Sequence, residues 1–287
     1  AYLYLIPAFI GLIVLTYIPL IAVFGLSFFK WGGTGAPEWN GINNYIKLFT
    51  TDPYFKESIK VTVYFSLLAV VGSMVYSLIV AMLLNRKIPA RGFFRAVFYL
   101  PYVLPAAAVY IGWSWLYNTE WGLFNYILSK LGIERLMFVS SSSQVVPSLA
   151  LIAVWLSGNL IVIFLAGLQN VPRVYHEAAE IDGANAWQRF WHVTFPSMTP
   201  IIFYNMLMSL ITNMQVVTPA LALTKGGPGK SSYFMSYMLY NYAFKQRGKI
   251  GLACAIAFVL FLLIGAFTLL LFATSKSWIF YEGGDDK

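Results

Sequence analysis

Six apolar stretches, each long enough to cross a bilayer, constrain this chain more than any motif does. They run over residues 2–29, 61–84, 93–117, 145–168, 201–223 and 250–273. A helix needs roughly 18–20 apolar residues to cross a hydrocarbon core, where every backbone polar group must be satisfied internally. The expectation is an all-α membrane protein: six transmembrane helices forming a single domain over residues 1–287. Of these residues, 59% are hydrophobic and 10% charged, whereas a soluble domain carries about 25% charged residues. The first stretch has no basic flank and is too long for a secretory signal, so it is expected to span. Pro101 and Pro105, four positions apart, predict a kink or an unwound turn in the third stretch.

A net charge of +8 would point to nucleic acid in a soluble protein. Here the Lys and Arg residues are spread over connections between spans, where they set topology and meet lipid headgroups, so no nucleic-acid partner is expected. The lone Cys254 and two histidines make neither a disulfide nor a zinc set, so no metal site is expected. With six spans, residues 85–95 and 169–199 share a side with both termini. That side holds eight Lys and Arg against eleven opposite, so charge counting leaves orientation open, although the dense Arg86, Lys87, Arg91, Arg95 cluster leans towards the cytoplasm. Tyr2, Tyr117, Trp121, Trp278 and Tyr281, at span ends, are expected as interface anchors.

Between the fourth and fifth stretches lies a polar island, Glu177–Pro200. Helix formers from Glu177 to Asp182 are followed by Gly183, the residue best suited to a left-handed helix end. Ala184–Phe195 predicts a second short amphipathic helix, with Trp187, Phe190 and Trp191 on one side and Pro196 ending it. Small residues at the bend (Ala178, Ala179, Ala184) suit insertion into a groove. An amphipathic loop lying on the membrane surface is the other reading.

The pattern E-A-A-x-x-D-G-A, then F-x-x-V-x-F-P-x-x-x-P, resembles the EAA coupling loop of binding-protein-dependent ABC importer permeases. Glu177, Ala178, Ala179, Asp182, Gly183, Ala184, Phe190, Pro196 and Pro200 match that loop, while Val193 and Phe195 replace its usual Ile and Leu. Gly92–Arg95, Phe98–Pro101, Pro105, Trp113–Leu116 and Leu223–Gly229 are similar to segments of the carbohydrate-type permeases, those of maltose, multiple-sugar and glycerol-phosphate importers. The likeness runs from Tyr2 over essentially the whole chain. It implies a type I ABC importer permease fold, with residues 169–199 as a cytoplasmic coupling loop that docks into a cleft on an ATPase subunit. Glu177 would pair with a basic residue of that ATPase, and Gly183 would be the pivot.

The implied partners are a second permease subunit in a heterodimer, an ABC ATPase dimer, an extracellular or periplasmic solute-binding protein, a sugar and the lipid bilayer. The implied setting is the cytoplasmic membrane of a bacterium or archaeon. ATP and Mg would belong to the ATPase, with no cofactor on this chain. A permease for amino acids or peptides is the alternative. Gly229-Lys230-Ser231 does not complete a P-loop, because Thr224 stands where the first glycine is needed and Pro228 removes a backbone donor.

On a helical wheel of the fifth stretch, Asn205, Ser209, Thr212, Asn213 and Gln215 fall within about 160° of one another. Phe203, Met206, Leu207, Leu210 and Ile211 lie opposite. Uncharged amides and hydroxyls suit a polyol, whose hydroxyls both donate and accept. Trp155 and Asn159 add an aromatic plane and an amide, and these seven residues are the candidate substrate pathway. The rival explanation is that Ser, Thr and Asn only hold membrane helices together. No Asp, Glu, Lys or His lies inside the six stretches, which argues against a proton-coupled carrier. No acid, base or nucleophile constellation points to an enzyme.

Overall fold

The computed structural model describes residues 2–246 and 248–280. Among them the only strands are β1 (Phe29–Lys30) and β2 (Glu38–Trp39), paired antiparallel. Tyr281 and the Tyr2 side chain lie outside the described residues.

The long helices follow the apolar stretches, with informative departures. Helix α1 (Ile6–Leu26) contains Pro19, which offers no N–H and crowds the carbonyl one turn back. The backbone answers with a wider π turn over Ile13–Tyr17, so that the Ile18 N–H reaches the Ile13 carbonyl. Helix α2 (Phe55–Asn85) starts before residue 61 and takes Lys56, Glu57 and Lys60 into its first turns. At 31 residues it rises about 46 Å and outreaches a hydrocarbon core.

The third stretch is two helices, α3 (Arg91–Val103) and α4 (Ala106–Leu116), bent by 99°. The break falls at Leu104, held extended before Pro105, while Pro101 stays inside α3. The fourth stretch is also broken, into α5 (Val145–Trp155) and α6 (Gly158–Asn170), bent by 50°. There the Ser157 hydroxyl bonds back to the Val154 carbonyl (2.6 Å) and meets Ser77 Oγ on α2 (2.9 Å). After the short helix α7 (Arg173–Ile181) and an elbow, α8 covers Phe195–Met214 instead of 201–223. It stops where Gln215–Val217 leave the helix ahead of Pro219. Helix α9 (Ile250–Ser275) closes the bundle. By length and apolar composition α1, α2 and α9 suffice to cross a membrane, up to five crossings result if each bent pair is counted as one, and α8, at 20 residues, has the length for a sixth.

Helix α2 is the axis, packing against α5, α6 and α8, while α9 packs on α8 and α1. Ser58, Thr62, Ser66, Ser73 and Ser77 are buried along α2. Small residues let helices approach closely in lipid, and their hydroxyls bond across. Thr62 Oγ1, for example, accepts from the Met235 N–H (2.9 Å). One core, around Phe65, Leu149, Ile152, Phe234 and Met238, lies at the end of α2 remote from the elbow. A second, around Val80, Ile161, Phe164 and Met198, lies beside the elbow.

Tyr117 corrects its expected place as an interface anchor. It is 1% exposed, stacked on Phe138 at 4.6 Å, and its hydroxyl donates to the Ser148 carbonyl (2.9 Å). A neighbouring ring and an internal acceptor replace the interface there. Trp121 is exposed, and Trp278 is half-buried against Phe203. The basic cluster is partly turned inward. Arg91 Nε donates to the Leu84 carbonyl (2.6 Å), and Gln169, with its amide oxygen facing them, accepts from Arg95 (3.0 Å) and Arg91 (3.2 Å).

At the remote end Asp52 caps α2, accepting from the Tyr54 and Phe55 N–H groups (2.9 and 3.0 Å). Its other oxygen takes the Tyr242 hydroxyl, which burial and this bond hold protonated well above the ordinary phenol range. Asp52→Ala removes all three bonds and is expected to destabilise the protein by about 2–3 kcal/mol. Thermal unfolding in detergent would read this as a lowered midpoint; an unchanged midpoint would mean the cap is dispensable.

Candidate functional site

The elbow is built by local rules. Helix α7 ends at Ile181, and Gly183 takes φ +81°. This lets the Gly183 N–H reach the Glu180 carbonyl (3.0 Å) and the Ala184 N–H reach the Ala179 carbonyl (2.9 Å), closing the helix end. Two residues on, Asn185 opens the next helix with a reciprocal cap. Its side chain accepts from the Gln188 N–H (3.0 Å), and the Gln188 side chain accepts from the Asn185 N–H (2.8 Å).

Pro196 does not end this second arm, contrary to expectation. The backbone widens into a π turn over Phe190–Thr194, and the Phe195 N–H reaches the Phe190 carbonyl. This is the device α1 uses ahead of Pro19, so Ala186 to Met214 is one uninterrupted helical path.

Glu177, Ala178, Asp182 and Gly183 are exposed, and Ala179, Ala184, Phe190 and Pro196 are half-buried. Exposed Ile181 and Trp187 flank the bend. Phe190 packs against Trp191 at 5.0 Å, and Trp191 against Phe195 at 5.1 Å, which stiffens the second arm. A cleft of ≈ 710 Å³ between Arg86, Leu168, His176 and Trp187 sets the elbow off from the bundle.

Higher on the same rod, α8 faces a cleft of ≈ 550 Å³ that collects Asn159, Asn205, Ser209, Thr212 and Asn213. Five of the seven expected pathway residues therefore meet. Trp155 does not join them: it ends α5 just before the 50° bend and packs edge-on against Trp113 at 5.5 Å. Gln215 does not either, because the helix stops at Met214 and Gln215 borders another cleft with Leu239 and Tyr240. The wheel that grouped it with Asn205 does not extend past the helix end.

Tyr102, Tyr204, Ser73 and Ser157 also line the ≈ 550 Å³ cleft. Sequence reasoning missed them: the two tyrosines read as part of apolar faces, and serines in membrane helices read first as packing residues, so only the bends and the packing of the helices bring all four to one cleft. Inside the cleft Asn213 Nδ2 donates to the Ser209 carbonyl (2.8 Å), and Thr212 Oγ1 donates to the Met208 carbonyl (2.9 Å). Asn205 is 1% exposed, and its side-chain nitrogen has no hydrogen-bond partner. Leaving such a donor unsatisfied costs about 1–3 kcal/mol.

Residues 73–277 match the family described as "Binding-protein-dependent transport system inner membrane component". The chain belongs to this family. The chain is 36% identical over 289 residues to "Probable ABC transporter permease protein YesP" of Bacillus subtilis, covering 99% of this chain and 93% of that one. It is 36% identical over 277 residues to "Multiple sugar-binding transport system permease protein MsmF" of Streptococcus mutans, covering 96% and 94%. A crystal structure of a bacterial ABC transporter that imports the acidic polysaccharide alginate aligns with a TM-score of 0.80 at 20% identity, covering 96% of this chain and 94% of that one. That likeness carries the fold. In this member of the family, then, an exposed elbow and a polar cleft share one helical path.

Proposed function

We propose that the chain is one of the two permease subunits of an ATP-driven importer of sugars or oligosaccharides, a single domain that crosses the membrane six times. The observation that carries this reading is the continuous helical path from Ala186 through Met214, which joins the elbow to the polar cleft. A displacement imposed at Glu177–Pro196 reaches Asn205, Ser209, Thr212 and Asn213 without crossing a loop. A separate ATPase grips the elbow on the cytoplasmic side and holds the ATP and Mg. A substrate-loaded binding protein docks on the opposite face, and closure of the ATPase dimer switches the cleft between inward- and outward-facing forms. The saccharide permeases among the relatives support a sugar over an amino acid or peptide. The cleft's amides, hydroxyls and tyrosine rings suit the edges and faces of a sugar.

The test is ATP hydrolysis by the reconstituted complex with its binding protein, challenged with saccharides, amino acids and peptides. Stimulation by a saccharide alone supports the proposal; stimulation by amino acids or peptides alone overturns the sugar reading.

Asn205→Leu separates a cleft function from helix adhesion. Leucine keeps the volume and removes the unsatisfied donor, so the thermal midpoint is expected to hold or rise. Uptake is expected to fall about ten-fold, the effect of one lost hydrogen bond of roughly 1.4 kcal/mol. A lowered midpoint with normal uptake would make Asn205 a structural residue.

A further inference from the structure

The coupling reading requires the two arms of the elbow to move as one piece, and one side-chain contact bears on that. Glu180 lies in the last turn of α7, and Arg189 lies at the end of the Ala186–Arg189 helix beyond the bend. The two form an ion pair across the turn, Glu180 with 60% of its side chain exposed and Arg189 with 26%. The backbone bonds at Gly183 and Ala184 close the end of the first arm, and the Asn185–Gln188 cap opens the second. Neither spans both. Among the described residues, Glu180–Arg189 is the ion pair that ties one arm to the other.

We propose that Glu180 and Arg189 are positioning residues for coupling: their ion pair fixes the angle between the arms, so that force on α7 is delivered to the Ala186–Met214 rod. An exposed pair adds little to folding stability, but charged pairs set orientation well. Its position also matters. The π turn at Phe190–Thr194 follows Arg189 directly, so the clamp joins the arms before the rod reaches its widest backbone turn. Without it the bend at Gly183, whose surroundings are open within 4 Å, would flex and absorb the displacement.

The inference rests on the coupling reading and is tested in the complete reconstituted transporter. Glu180→Arg, Arg189→Glu and the double exchange E180R/R189E are compared by ATP hydrolysed per sugar imported. Each single reversal is expected to raise that ratio about five-fold or more, and the double exchange to return it to within about two-fold of the parent. A purely structural role would lower hydrolysis and import together and leave the ratio unchanged, which would overturn the proposal. So would a double exchange no better than the singles. If the reversals fail to assemble, Glu180→Gln, which removes the charge and keeps the shape, must still raise the ratio; an unchanged ratio counts against the clamp. Gly183→Val, measured alongside, separates the two ideas. Normal import there sinks the coupling reading itself, whereas lost import there with an unchanged ratio in Glu180→Gln sinks only the clamp.

Discussion

Gly183→Val is expected to abolish uptake, by about 100-fold or more, while the chain still inserts in the membrane and its core remains folded. The penalty comes from the backbone. At φ +81° an L-residue pays about 1–2 kcal/mol, and a β-branched one more. Nothing lies within 4 Å of an added Cβ, so crowding inside this chain contributes nothing. Valine relieves its strain by turning φ negative. That turn breaks the Gly183-to-Glu180 and Ala184-to-Ala179 bonds and swings α7 away from the second arm. The bend around Gly183 contributes no residue to the cores around α2, so folding is expected to be spared while coupling is lost. Glu177→Lys is expected to act in the same direction through a different cause, a reversed charge on the exposed face proposed to meet the ATPase. Uptake assays beside a measurement of membrane insertion check both, and normal uptake with Gly183→Val would contradict the account.

Gly251→Val is expected to have the largest effect on folding. A Cβ at this position would stand 2.0 Å from the Phe29 carbonyl oxygen and 3.1 Å from its carbon, with the Trp31 nitrogen at 3.3 Å. These are backbone atoms and cannot swing aside as a side chain does. The Gly251 N–H also donates to the Trp31 carbonyl (3.1 Å), so the first turn of α9 is pinned to the β1 arm. Separating the two is expected to cost about 3 kcal/mol or more, seen as loss of monodisperse protein in detergent. Gly265, with nothing within 4 Å of its would-be Cβ, is the control, and Gly265→Ala is expected to fold normally. Equal behaviour of the two variants would show that the close approach at Gly251 is not binding.

What the sequence disclosed, and what it hid, follows from the range of each signal. Apolar length located α1, α2 and α9, because burial in lipid needs only composition. Gly183 was readable because a left-handed helix end has a strong local preference. The π turns were hidden. Pro196 looked like a terminator, but its missing N–H is absorbed one turn earlier at Phe190, a choice made by the whole helix. The break at Leu156–Ser157 has no proline to announce it; its sign is a hydroxyl that meets Ser77, eighty positions away in the chain. That bend removed Trp155 from the cleft, and the helix end at Met214 removed Gln215. Tyr102 and Tyr204 enter the cleft only because the 99° bend at Leu104 and the packing of α8 turn them there.

The most direct test of the central claim is ATP-dependent sugar uptake into proteoliposomes holding this chain with its co-purified subunits and loaded binding protein. The account predicts uptake that needs ATP on the elbow side and disappears with Gly183→Val. Uptake that proceeds without ATP, or by this chain alone, would contradict it.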